Sequence, residues 1–262
     1  IVLNRTASNA NHTHGAYIEL AHDKAAQNAD ISLSGANANG WASLAINTAD
    51  ATIKGLSGNA HSYVFAGAAA NTLYTGGAHP AATRQSTLTI DTAADKTYTY
   101  AGVVGSKADS LSAGLSLVKL GAGTQQFTGT TYLGHVAVQG GTLSFSGNTT
   151  VYGDITLAQG AMLSGIDFNL AADKTFAVVA GASGSSADFG GTLTLGAGSL
   201  SFEGLGVASA AADGGVALNL GGVSFDGAQS SYTIQFANTG GLVAGTTYTL
   251  ATGDWSSAYS KL

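Results

Sequence analysis

Four short segments of this chain repeat one design: LGAGTQQFTG (120–129), VQGGTLSFSG (138–147), LAQGAMLSG (157–165) and LGAGSLSFEG (195–204). Each runs from an apolar residue to a glycine, then through alternating apolar positions to a second glycine. Their starts recur at about 19 residues or twice that. A second echo keeps a compatible beat, since AADKTY at 93–98 returns as AADKTF at 171–176. A short fixed period of this kind excludes most globular folds, because each unit is too small to bury its own apolar row and must stack on the next.

Inside the units the runs alternate with period two, as in Leu143-Ser144-Phe145 and Leu200-Ser201-Phe202. Alternation over three to six residues between Gly, Asn or Asp is the pattern of half-buried strands joined by tight turns. A unit of about 19 residues carrying two or three such strands matches one coil of a parallel β-helix. The sequence therefore predicts an all-β parallel β-helix over 1–215. From 216 to 262 the beat is lost, and Ala217–Leu220, Val223–Phe225, Tyr232–Phe236 and Thr247–Ala251 read as strands divided by Gly-Gly and Asp-Gly signals. Those signals predict an antiparallel β end-cap over 216–262. A helical turn or two is expected only over Tyr17–Ala29.

Composition agrees with a solenoid and removes several functions. Charged residues are 9% of the chain and apolar ones 45%, so order must come from backbone pairing and from many small side chains. The nine Lys and Arg are scattered through a chain of net charge −6, which leaves no basic patch for nucleic acid. No apolar run is long enough to cross a bilayer, so direct membrane insertion by this segment is not expected. With no cysteine, disulfides, thiolate metal sites and a cysteine nucleophile are excluded. The chain opens on Ile1, as expected of a processed or excised piece.

Residues 117–143, LVKLGAGTQQFTGTTYLGHVAVQGGTL, resemble the passenger-associated transport repeat of bacterial autotransporters. Leu117, Lys119, Gly121, Gly123, Thr124, Phe127 and Gly129 match its first block in kind, and Tyr132, Gly134, Val138, Gly141, Thr142 and Leu143 match the rest. Gln125 stands where the family prefers an apolar residue, and His135 where Gly is common. The resemblance implies a right-handed parallel β-helix on a secreted or outer-membrane-anchored protein of a Gram-negative bacterium, with the repeat assisting export and folding of the passenger. It carries no catalytic residues and implies a non-catalytic stalk or adhesin.

The glycine-rich 121–124 loop lacks the Lys and the following helix of a phosphate loop, and is expected to be a corner. His12, His14 and His22 form the one ligand-like cluster, with spacing that places two imidazoles on one side of a strand; no cofactor is expected. Asp91, Asp95 and Lys96, and again Asp173 and Lys174, lie close in sequence, but the repetition of AADKT points to a turn used twice. The alternative to a stalk is a carbohydrate-active enzyme or glycan-binding accessory module on the same scaffold, which needs carboxylates gathered on one face. Trp41, Trp255, Tyr63, Tyr98 and Tyr100 are expected to pack rather than to stack on sugars. The partners expected are host glycans or matrix, or further copies through the solenoid ends.

Overall fold

Parallel strands cannot be joined by hairpins, so a chain of short strands with short links can pair them in parallel only by winding into coils. The structure, a computed structural model, has that form. It describes residues 1–5, 15–37, 40–67, 84–106, 114–180, 186–204, 216–237, 242 and 244–256. The chain divides into two compact units, one of residues 1–136 with 145–152 and one of 137–144 with 153–262.

The first unit holds three all-parallel sheets stacked in sequence order. One runs β1 (Val2–Asn4), β3 (Asp30–Ser34), β6 (Gly55–Gly58), β9 (Thr97–Tyr100) and β12 (Thr124–Phe127). The second runs β2 (Ala16–Leu20), β4 (Ala42–Ile46), β7 (Ser62–Ala66), β10 (Val103–Val104), β13 (Thr131–Leu133) and β16 (Thr149–Val151). The third runs β5 (Asp50–Ile53), β8 (Gln85–Asp91) and β11 (Gly114–Leu120). Register places like on like: Ala51, Leu88 and Leu117 share one buried row, and Leu44, Val64 and Val104 another. Each fully buried Leu, Ile or Val contributes about 1.5–3 kcal/mol, and the row repeats that gain at every coil.

The second unit repeats the arrangement with two sheets. One follows β15 (Thr142–Phe145), β18 (Met162–Ser164), β21 (Ala187–Leu195), β23 (Val216–Phe225) and β25 (Thr249–Thr252), with β19 (Phe168–Asn169) also on β21. The other follows β14 (Val136–Val138), β17 (Ile155–Ala158), β20 (Thr175–Val179), β22 (Ser199–Glu203) and β24 (Thr233–Ala237). Ile155, Phe176, Leu200 and Ile234 form one row, and Leu157, Val178, Phe202 and Phe236 the next. Both units are thus parallel β-solenoid in construction.

Three expectations meet corrections. Over 216–262 the described strands are parallel, not antiparallel: β24 pairs with β22 and β25 with β23 in parallel register. The Gly221-Gly222 pair that reads as a turn lies inside β23, where it stacks on Gly190-Gly191 of β21. A Cβ at Gly221 would stand 2.7 Å from the Gly190 carbonyl oxygen, and one at Gly191 would stand 1.6 Å from that of Ile166. The glycines serve close backbone approach at a register shift between Phe189 and Thr192, and the two expected strands merge into one.

The Tyr17–Ala29 stretch is β2 followed by turns, with Ala25 N–H bonded to His22 O and Ala29 N–H to Ala26 O. These turns lie along the edge of β5. The Thr48 hydroxyl donates to Asp23 Oδ1 at 2.6 Å, Thr52 N–H reaches Asp23 O, and Ala26 is buried. The coil step also varies. Thr131 lies beside Thr149 and Thr142 beside Met162, near the step of about 19, whereas Gly58 lies beside Tyr100 and Asp50 beside Thr87, roughly twice that.

The two sequence echoes prove to be halves of one structural device. In the first unit Ala93–Lys96 makes a turn, Lys96 N–H to Ala93 O, and the Gly121–Gly123 corner sits on it, with Gly123 N–H bonded to Thr92 O at 3.0 Å and Thr124 N–H to Lys96 O at 2.9 Å. In the second, Ala171–Lys174 makes the same turn under Gly196–Gly198, with Gly198 N–H to Leu170 O at 2.9 Å and Ser199 N–H to Lys174 O at 3.1 Å. A Cβ at Gly123 would lie 1.9 Å from Ala93 O, and one at Gly198 would lie 2.4 Å from both Ala171 O and Lys174 O. Replacing Gly123 by Ala is therefore expected to lower stability by about 2 kcal/mol or more. Ala122→Ser in the same corner is the control, and chemical denaturation compares the two.

Candidate functional site

The stretch with the transport-repeat resemblance contains β11, β12, β13, β14 and β15, with glycine at its corners. Gly121 adopts φ +69° and Gly141 φ +61°, a region that side chains with Cβ rarely enter. The backbone N–H of Gly123 and Thr124 are already bonded to the neighbouring coil, so this loop presents a closed corner and not an anion cradle.

Phe127 and Phe145 occupy equivalent places in successive repeats. Their rings stack with centroids 5.5 Å apart and planes 18° apart, while Tyr100 meets Phe127 edge-on at 6.1 Å. Such pairs add about 0.5–1.5 kcal/mol each beyond area burial.

Lys119, the lysine of the motif, points inward. It stands beside Ile90 in register and is buried, with its ammonium donating to Leu120 O at 2.5 Å and Gly121 O at 2.9 Å. Burial lowers its pKa from the ordinary 10.5 to about 8, and the charge of Asp91 opposes that shift. The folded chain therefore holds fewer protons here than the unfolded chain between about pH 8 and 10.5, so stability rises with pH across that window. Denaturation midpoints are expected to climb between those pH values in the native protein and to lose that component in Lys119→Met.

Gln125 departs from the apolar preference of the repeat for a structural reason. Strands β6 and β9 pair in register only at Gly58 and Tyr100, and the Tyr98 ring lies over Gly55. The Gln125 amide, fully buried, reaches the backbone of β6 instead: its Nε2 donates to Leu56 O at 2.9 Å and its Oε1 accepts from Leu56 N–H at 3.1 Å. The side chain thus takes the place of a peptide group. Gln125→Leu restores the apolar preference but leaves both Leu56 backbone groups buried and unbonded, an expected loss of about 1–3 kcal/mol. Thermal unfolding and protection of the Leu56 amide from hydrogen exchange both report it.

His12 and His14 lie outside the described residues. His22 is exposed, and its Nδ1 accepts from Lys24 N–H. Among the described residues no three His, Cys, Asp or Glu are grouped to hold a metal ion. Asp91 is paired with Lys54 at 2.5 Å, Asp95 with Lys96 at 3.7 Å, and Lys174 stands over the Phe168 ring at 5.7 Å. The two AADKT settings share a backbone turn and differ in where their lysines go.

Tyr98 donates to Asp30 Oδ1 at 2.7 Å, and that bond is the main cause raising the phenol pKa to about 12. Tyr100 is buried, and Tyr63 is buried with its hydroxyl on Gly105 O. Trp41 is half-buried against Ala45, Tyr63 and Phe65, edge-on to His61 at 6.1 Å. Trp255 is half-buried beside Phe225.

One concave feature in the second unit has a volume of about 190 Å³, between Met162, Asp188, Gly190, Asn219 and Gly221. Along its side Asp188, Asn219 and Thr252 form a hydrogen-bonded column, with Asn219 Nδ2 donating to Asp188 and Thr252 Oγ1 donating to Asn219. Sequence reasoning missed this column because its members sit on three different coils with no shared motif. Comparison of the chain with models of known families, with curated proteins and with solved structures finds no match in any of the three.

Proposed function

We propose that this chain is a non-catalytic segment of a secreted or outer-membrane-anchored surface protein of a Gram-negative bacterium, a stalk or adhesin similar to an autotransporter passenger. In this reading it is a right-handed parallel β-helix whose basic coil is about 19 residues, lengthened where longer links are inserted. Its partners are host glycans or matrix, and it needs no cofactor. The observation that carries the reading is the behaviour of residues 117–143. The glycines that match the transport repeat lie at coil corners, and Phe127 stacks on the next repeat's Phe145.

The pairing of Asp91 and Asp95 with lysines supports the non-catalytic side, since glycoside cleavage needs two carboxylates held across one cleft. The lack of cysteine suits a chain that crosses the periplasm unfolded. The purified chain is expected to bind a subset of an array of host glycans and matrix proteins, with no release of reducing sugar. Turnover of any bound polysaccharide would replace this reading with the enzymatic one, and silence across the whole array would reduce the segment to a spacer.

A further inference from the structure

Where β18, β21, β23 and β25 stack in the second unit, one outward row carries Met162, Asp188, Asn219 and Thr252 side by side in register. Two positions further along β21 and β23 the same face is bare, because Gly190 and Gly221 are exposed and have no side chain. The concave feature of about 190 Å³ lies between the polar row and these glycines, and every residue lining it belongs to this unit.

Packing explains only part of the bare floor. Gly191 and Gly221 are required by backbone approach, but a Cβ at Gly190 would first meet the Ser164 Cβ, at 3.1 Å, a contact that a small shift relieves. Glycine inside a strand gives up backbone order and side-chain packing, so a bare position that packing does not demand marks a place where something else comes close to the strand. The polar wall beside it is oriented. Thr252 Oγ1 donates to Asn219 Oδ1 at 2.8 Å and Asn219 Nδ2 donates to Asp188 Oδ1 at 2.9 Å, so both protons are passed toward Asp188. That leaves the second carboxylate oxygen of Asp188 as an acceptor and the second Nδ2 hydrogen of Asn219 as a donor. Among the described residues Asp188 has no cationic partner.

We propose that this trough is a subsite for one ring of a neutral glycan. Asp188 and Asn219 take adjacent hydroxyls, and the carbon face of the ring rests over Gly190 beside the exposed Met162 side chain. The proposal rests on the adhesive reading and narrows it from glycans in general to uncharged ones. Each sugar hydroxyl both donates and accepts, which a carboxylate oxygen next to an amide N–H matches. A hard cation needs several oxygen ligands, and Asp188 is the single carboxylate lining the trough. A sulfated or carboxylated sugar is repelled by that carboxylate in a chain of net charge −6. The volume is below the roughly 300–1,000 Å³ of pockets for larger ligands, so it takes a single ring. One carboxylate also suits binding without cleavage.

Met162 is the only methionine, so its methyl group, labelled with carbon-13, reports on this trough alone. In the whole chain, neutral cello-, manno- and galacto-oligosaccharides are the probes, with sialyllactose and heparin fragments as acidic controls. At least one neutral probe is expected to shift the Met162 resonance saturably at millimolar concentration, and the acidic ones to leave it in place. Gly190→Ser, which puts a side chain into the trough, and Asp188→Ala should each weaken that binding about tenfold or more, with thermal unfolding confirming that both variants are folded. No shift with any neutral probe, a shift with the acidic ones, or full binding by both variants would overturn the proposal. Binding to a glycan array that both variants retain sinks the trough and leaves the adhesive reading standing, whereas a Met162 response with a silent array keeps the trough and sinks the adhesive reading.

Discussion

Close approach of one coil's backbone to the next is the constraint on which this structure depends. A strand offers its N–H and C=O groups sideways all along its length, but a corner turns them in several directions, and each still needs a partner. The chain solves this by laying a corner directly on the turn below it. Gly123 and Gly198 come near enough to bond the carbonyls of Thr92 and Leu170 only because no Cβ intervenes. The same solution appears in each unit, with AADK beneath and GAG above. Glycine abundance, low charge and the repeated apolar rows all follow from stacking coils this tightly.

Where the stacking is interrupted, polar side chains complete it. The Gln125 amide bonds the Leu56 backbone where β6 and β9 do not pair. Lys119 closes the end of β11 from inside, on the carbonyls of Leu120 and Gly121. These groups are buried and specific, yet their role is to finish a backbone ladder. A buried amide or ammonium in such a fold is first a structural substitute for a peptide donor, and it becomes a catalytic candidate only when something remains for it to act on.

Much of this was legible in the sequence. Period-two alternation and glycines at fixed places gave parallel strands and corners at Gly121 and Gly123. The direction of the last strands was not legible. Gly-Gly has the same appearance whether it turns the chain or lets two strands touch, and only the neighbouring Gly190-Gly191 decides between them. The role of Gln125 was also hidden, since its partner Leu56 is 69 positions away. The Asp188, Asn219 and Thr252 column draws on three coils spaced 31 and 33 positions apart, off the 19-residue beat, so no local pattern announces it. Chemistry that depends on the lateral neighbour is invisible to a reading along the chain.

The pairing of turn with corner has a further implication for how such a chain changes over generations. Corner and turn recognise each other across coils, so the length of chain between them is not specified by either. Val64 lies beside Val104, and Leu88 beside Leu117, although the first pair is 40 positions apart and the second 29. Because loop closure grows only slowly more unfavourable with length, segments can be added between strands with little effect on the ladder. The scaffold therefore tolerates insertion at its links, and a lineage can vary what it displays there while keeping the winding beneath unchanged.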